Sequence, residues 1–375
     1  MKKYRFETQS IKSTQAHFEN VKPIATPIFL STTFERNPDG SYHEDFVYSR
    51  ADNPNRRLLE HSLATLEGGA SAHAFSSGMA AVNAIFQSLT SGDHVLLPDD
   101  IYFNIYLLAE EVYSRWGLEF SQVDMSNLEE VKDAIRENTK LVWIETPSNP
   151  QLKITDIDAI VQIAHGFDAL VVVDNTWPTP VLQKPLQLGA DMVMHSTTKY
   201  FGGHSDVLGG CVIVKENSEI TNRLKKIQAL SGGVPSPFDC WLIVRGIQTL
   251  HLRVTAQTRS AQLLANYLDQ HPMIEKVNYP GLHKHPGYEI AKKQMTDFGA
   301  MLSVLVKGDA EKAIKISNRL QLFTTATSLG GVESLIEHRK SVEGPNSKTP
   351  DNLLRISVGL ENIDDLISDW KDALS

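Results

Sequence analysis

Apolar positions recur along this chain with two periods, helical and continuous, and their alternation predicts an α/β molecule. Leu58, Leu59, Leu63 and Leu66 follow helical spacing, and Gly68-Gly69 ends that run. Ala72–Phe75 reads as a short strand, and Ser76-Ser-Gly-Met-Ala-Ala81 opens a helix that continues to about Leu89. His94–Leu97, Leu141–Glu145, Asp191–His195 and Gly210–Val214 read as short strands, and Ala169–Asp174, continuous and β-branched, has the pattern of a strand buried on both faces. Helical spacing fills intervals between them, at Leu128, Val131 and Ile135 and again over 156–164. Strand and helix alternating from about 70 to 196 predicts a mostly parallel, doubly wound sheet.

Beyond that region the pattern changes. Residues 238 to about 268 carry one long helical period, followed by strands over 302–306 and 354–357 and helices over 310–320 and 363–374. These predict a smaller α+β domain, with 341–350 a polar loop containing Pro and Gly. Before residue 57 the chain is broken by Pro23, Pro27, Pro38 and Pro54 and by the turn Asn37-Pro-Asp-Gly40. The expected division is therefore an arm over 1–57, an α/β domain over 58–245 and an α+β domain over 246–375. An arm with few periodic apolar positions is expected to cross to a neighbouring subunit.

Composition narrows the function classes. Hydrophobic residues are 41% and charged residues 22% of 375, enough for a large core. The net charge of -9, with no Lys/Arg run longer than two, argues against a nucleic-acid partner. Two cysteines exclude a disulfide framework, residues 1–20 contain no apolar signal core, and no apolar run approaches the roughly 20 residues of a membrane helix. A cytoplasmic protein with no membrane partner is expected. His283-Lys-His285 resembles a metal pair, but nothing supplies further ligands, so no metal is expected.

Ligands of open α/β sheets bind at the carboxyl ends of the strands, and several candidates fall there. Ser77, Gly78 and Met79 sit where a strand turns into a helix, an arrangement that aims N–H groups and a helix dipole at an anion. Tyr102 follows another strand, and Asp174 ends the most apolar one. Ser196, Thr198 and Lys199 follow a third. Singly, the Ser-Gly turn, Tyr102 and Lys199 read first as a helix cap, a packing aromatic and a solvated lysine, and Asp174 as either a turn carboxylate or a ligand group. Together they match what pyridoxal phosphate demands: a Schiff-base amine (Lys199), a carboxylate for the ring nitrogen (Asp174), a flat neighbour (Tyr102) and phosphate donors. Tyr48 and Arg50 are either a surface pair or the completion of a phosphate site in a partner chain.

Longer motifs agree. Tyr48-Ser-Arg50, Ser76-Ser-Gly-Met-Ala-Ala81, Trp143-Ile-Glu-Thr-Pro-Ser-Asn-Pro150, Val173-Asp-Asn-Thr176, His195-Ser-Thr-Thr-Lys199, Gly203-His-Ser-Asp206, Ser328-Leu-Gly-Gly-Val-Glu-Ser334 and Arg355-Ile-Ser-Val-Gly359 occur in this order. On these, the chain from about residue 24 onward closely resembles the Cys/Met-metabolism, or transsulfuration, family of pyridoxal phosphate enzymes. The resemblance implies a fold type I transferase architecture and pyridoxal 5'-phosphate as cofactor. It also implies a homotetramer built as a dimer of dimers, with Tyr48 and Arg50 reaching the partner's phosphate. Arg355 is implied to grip the substrate α-carboxylate with Ser328 and Asn149 nearby, Glu333 to serve the γ branch, and Tyr102 to protonate the leaving group. The implied reaction is β/γ-elimination or γ-replacement on cystathionine or an O-acyl-L-homoserine. Cystathionine β-lyase, methionine γ-lyase and O-acylhomoserine sulfhydrylase activities are the alternatives, with a fold type I aminotransferase or a non-catalytic carrier as other classes. Three features depart from the family: Phe103-Asn-Ile105 is bulky, Arg339 stands where a Pro is usual, and Ser341-Val-Glu-Gly-Pro345 replaces the usual next segment. The first is expected to crowd the mouth of the site, and the other two to sit where the substrate's distal end should lie.

Overall fold

A computed structural model of the chain describes residues 4–16, 23–344 and 347–375. Pro345, the end of the departing segment, and parts of the arm lie outside the described residues. The larger sheet is built from β1 (Ser71–Phe75), β2 (His94–Pro98), β3 (Glu119–Val123), β4 (Thr139–Glu145), β5 (Leu170–Asp174), β6 (Met192–His195) and β7 (Gly210–Val214), in the order β1-β7-β6-β5-β4-β2-β3. Only β7 runs antiparallel to its neighbours, so the sheet is mostly parallel as expected. Alternate side chains serve opposite faces. Leu141, Trp143 and Val172 pack with Val82, Ile85 and Phe86 of the helix Gly78–Gln87. Val142, Ile144, Val171 and Val173 pack with Val131, Ile157 and Ile160 of the helices on the other side. That two-sided burial is why these strands carry unbroken apolar runs.

The smaller sheet consists of β8 (Ile274–Asn278), β9 (Met301–Val306), β10 (Thr324–Thr325), β11 (Leu335–His338) and β12 (Leu353–Ser357), in the order β10-β11-β12-β9-β8. The pairs β8/β9, β9/β12 and β12/β11 are antiparallel, giving the expected α+β character. Cross-strand register sets Glu337 directly opposite Arg355.

Several elements differ from expectation. The long helix over 238–268 is two helices, Pro237–Ile247 and Leu250–Asp269, broken at Gln248-Thr249. Arg253 fixes the break: its Nη2 donates to Gly246 O at 2.8 Å, its Nε to Thr249 Oγ1 at 3.1 Å and its Nη1 to Tyr200 O at 2.8 Å. A helix over Glu219–Ser231 has no clear signal in the sequence, because few of its positions are both apolar and buried. β3 is an edge strand with partly exposed positions, and β11 has four residues, so neither shows a clear period. Residues 341–343, at the start of the expected loop, belong to a helical turn over Arg339–Glu343.

The helix Pro237–Ile247 lies directly behind the segment that continues from Lys199. A Cβ on Gly246 would stand 2.2 Å from Phe201 O and 2.5 Å from Gly202 O. Alanine ordinarily stabilises a helix interior by about 0.5–1 kcal/mol over glycine. Here the sign reverses: Gly246→Ala should cost about 1–3 kcal/mol through overpacking against fixed backbone. Urea denaturation measures it, and a stabilised variant would contradict this packing.

Candidate active site

The carboxyl ends of β1, β2, β4, β5 and β6 open on one side of the larger sheet, and β12 of the smaller sheet faces them. Between them lies a cavity of about 200 Å3. Of the residues expected at the site, Ser77, Gly78, Met79, Tyr102, Asn149, Asp174, Ser196, Thr198, Lys199, Ser328 and Arg355 all line it.

At one end of the cavity the helix Gly78–Gln87 begins. Ser77 caps it, its Oγ accepting from Ala80 N at 3.0 Å, so the hydroxyl is engaged while the first-turn N–H groups of Gly78 and Met79 have no intrahelical acceptor. Gly78 presses against Ser196: a Cβ there would meet Ser196 Cβ at 2.9 Å and Oγ at 3.0 Å. The result is a small cradle of N–H groups beside a hydroxyl, suited to an anion. Thr198 closes it from below, exchanging hydrogen bonds with Gly209 through Oγ1, 3.1 Å to the carbonyl and 3.0 Å from the N–H.

Two carboxylates share the middle. Asp174 and Glu145 are partners in the β4/β5 register, and both line the cavity. Asp174 Oδ1 accepts from Thr176 N at 2.9 Å, and Glu145 Oε2 from Tyr102 N at 2.9 Å. Burial pushes both pKa values up, with Thr176 opposing at Asp174, and Glu145 is raised well above its usual range by burial and then by the Asp174 charge. Two carboxyls side by side, with no cation on them among the described residues, are an arrangement a cationic group would relieve. Sequence reasoning misses Glu145, although a carboxylate closing an apolar strand is the same signal that marks Asp174.

Lys199 follows β6. Its Nζ donates to Ser328 Oγ at 3.1 Å. Burial lowers its pKa from 10.5 to about 8, Arg355 and Arg339 push the same way, and Glu337 opposes them. At pH 7 about a tenth of such an amine is neutral, against roughly 3 in 10,000 for an ordinary lysine. Arg355, on β12, donates from Nη1 to Asn149 Oδ1 at 3.1 Å, and from Nη2 to Ser328 O at 3.3 Å and to Glu337 Oε2 at 2.7 Å. Burial and Arg339 bring it down to about 10, so it remains a cation at neutral pH.

Three expected residues lie elsewhere. Glu333 does not line the cavity; the turn after Gly331 holds it outside, where it accepts from Ser205 Oγ. Tyr48 and Arg50 are on the arm, Arg50 donating to Ala229 O and lying 5.7 Å over the Tyr48 ring, and neither reaches this chain's cavity. Of the departing residues, Ile105 and Arg339 line the cavity, whereas Phe103 faces a neighbouring one. His283 packs on the Tyr288 ring at 4.5 Å, and among the described residues no group of three or more His, Cys, Asp or Glu is placed to hold a metal ion.

A family model described as Cys/Met metabolism PLP-dependent enzyme matches residues 7–375. A cystathionine gamma-synthase of Mycobacterium tuberculosis is 44% identical over 357 residues, covering 94% of this chain and 92% of its own. A cystathionine beta-lyase of Coxiella burnetii is 42% identical over 382 residues, covering 100% and 98%. The solved structure of metB from Corynebacterium glutamicum superposes with a TM-score of 0.97 at 44% identity, covering 99% of this chain and 98% of that one.

The lowered Lys199 pKa has a direct readout. An aldehyde is attacked by the neutral amine only, so the rate at which cofactor-stripped protein takes up pyridoxal phosphate should rise with pH through a midpoint near 8 and level off above it. Stopped-flow absorbance measures this, and a midpoint near 10.5 would contradict it.

Proposed function

We propose, within the Cys/Met metabolism PLP-dependent enzyme family to which this chain belongs, that it eliminates or replaces a sulfur or oxygen leaving group at Cβ or Cγ of an α-amino acid, with cystathionine or an O-acyl-L-homoserine as substrate. The protein is an enzyme of transsulfuration chemistry, and its cofactor is pyridoxal 5'-phosphate. The observation that carries the proposal is Lys199, an amine with its pKa lowered to about 8, in one cavity with the Arg355 fork and the Asp174 carboxylate.

The residues present fit that cofactor. The cradle of Gly78, Met79 and Ser196 would take the phosphate, Asp174 with Glu145 beside it would face the protonated ring nitrogen, and Tyr102 would flank the ring. When bound, the cofactor supplies an electron sink for charge developing at the substrate α-carbon. The chain's own groups do the rest. Arg355, oriented by Asn149 and Glu337, receives the α-carboxylate in a forked contact. Lys199, steered by Ser328 Oγ, takes the α-proton and returns it further along the substrate. Tyr102, whose hydroxyl accepts from Asn104 Nδ2 at 2.9 Å, is assigned the proton for the leaving group. Glu333, held outside by Ser205, is given no contact with substrate.

We assign the division at 57 and 245, and a homotetramer of paired dimers in which Tyr48 and Arg50 complete the partner's phosphate site. The support is the exposed apolar arm, with Ile24 at 91% and Leu30 at 71% exposure. Residence in the cytoplasm is assigned with it: both cysteines are unpaired and buried, and among the described residues no helix is long and apolar enough to cross a membrane.

Loaded protein offered cystathionine should release pyruvate or 2-oxobutyrate, or form cystathionine from an O-acyl homoserine and cysteine, with products identified by mass. Lys199→Ala should lower turnover by a factor of at least about 1,000, since both the base and the cofactor anchor are lost. Loaded protein that gives no carbonyl product, no thioether and no α-proton exchange in deuterated water would overturn the assignment.

A further inference from the structure

Arg339 occupies the cavity wall beside Arg355, and its surroundings are built to hold it there. It is 2% exposed and lines the same cavity as Lys199. Its Nη1 donates to Glu337 Oε2 at 2.8 Å, its Nε to Glu343 Oε1 at 3.1 Å and its Nη2 to the same oxygen at 2.6 Å. Glu343 is held in turn on its other oxygen by Ser347 Oγ at 2.5 Å and Thr349 Oγ1 at 2.6 Å. The turn after β11 thus closes around one cation.

Neither compensating carboxylate faces the cavity. Glu337 lies behind both arginines, its Oε2 shared between Arg339 and Arg355 and its Oε1 accepting from Thr327. Glu343 borders the neighbouring cavity instead. The wall therefore presents two guanidinium groups with their counter-charges at the rear. A guanidinium has five N–H donors, and three hydrogen bonds among the described residues leave Arg339 two of them. A buried ion-pair network offers little stability over apolar packing of the same volume. Its placement on a reaction cavity instead suits an anion that arrives with the substrate.

One fork is enough for one carboxylate. With Arg355 assigned to the α-carboxylate, we infer that Arg339 is a specificity-determining residue that receives a second carboxylate at the substrate's far end. The preferred substrates are then α-amino acids with a carboxylate at both ends, such as cystathionine or a homoserine ester of a dicarboxylic acid, over an acetyl ester or methionine. The two guanidiniums bond one carboxylate oxygen, so a folded chain of several atoms spans them. This rests on the reading of the cavity as an amino-acid site bound through Arg355.

The test is calorimetric titration of the pyridoxal-phosphate-loaded protein with L-2-aminopimelate, which carries both carboxylates and no leaving group, and with its ω-amide. The acid should bind tighter by about 10- to 100-fold, the worth of a charge-assisted contact. Replacing the pair together, Arg339→Gln with Glu343→Gln, removes one charge of each sign and leaves no buried ion unpaired. In that double variant the preference should collapse to within about threefold, mainly through loss of acid affinity. Arg339→Lys, which keeps the charge but not the fork, should retain only part of it and serves as a second variant. Equal affinities in the wild-type protein, a preference that survives in the double variant, or an undiminished preference in Arg339→Lys would overturn the inference. Should the ligands behave as expected while neither cystathionine nor a homoserine ester is converted, the reaction assigned above fails and the role of Arg339 stands.

Discussion

An amine taken out of water must either find a carboxylate or lose part of its hold on its proton. Lys199 is placed in that position with a hydroxyl, Ser328 Oγ, as its one hydrogen-bond partner among the described residues and two guanidiniums nearby. The remaining buried charges are arranged so that this is tolerable. Arg355 and Arg339 are compensated from behind by Glu337 and Glu343, while Asp174 and Glu145 stand at the ends of adjacent strands with no cation in contact among the described residues. Cations gather on the wall from the smaller sheet and carboxyls on the edge of the larger one. A zwitterionic amino acid and a cofactor with a cationic ring and an anionic phosphate are complementary to that division.

Backbone packing supplies the precision this needs. Parallel strands deliver their carboxyl ends to one edge, so residues far apart in sequence reach one cavity without long loops. Gly78 lets the helix start approach Ser196, and Gly246 lets a second helix press on the carbonyls of Phe201 and Gly202, just beyond Lys199. Arg253, buried and bonded to Tyr200 O and Gly246 O, ties that contact together. The lysine is thereby carried on a segment fixed from both sides.

Much of this architecture is legible in the sequence. Strands buried on both faces betray themselves by apolar runs, and the residues just beyond such a run lie at a ligand-binding edge, the rule that finds Asp174, Ser77 and Lys199. Arg355 can be placed only through the family resemblance, because a lone arginine on a strand of the smaller sheet has no local signature. Glu337 and Glu343 escape for a related reason: their meaning depends on register between β11 and β12 and on a turn that folds back on one guanidinium. Arg339 stands out as a departure from its family, but that its charge is compensated from behind cannot be read from spacing. Glu145 is readable by the rule that marks Asp174. The break at Gln248-Thr249 is hidden because the apolar period runs through it; the arginine that makes it belongs to the second helix.

The central claim is that Lys199 is the amine that carries the cofactor. Borohydride reduction of the pyridoxal-phosphate-loaded protein, followed by proteolysis and mass mapping, addresses it directly. The structure predicts a stable phosphopyridoxyl group on the peptide containing Lys199 and on no other. A label on a different lysine, or none on a protein that binds the cofactor, would contradict it.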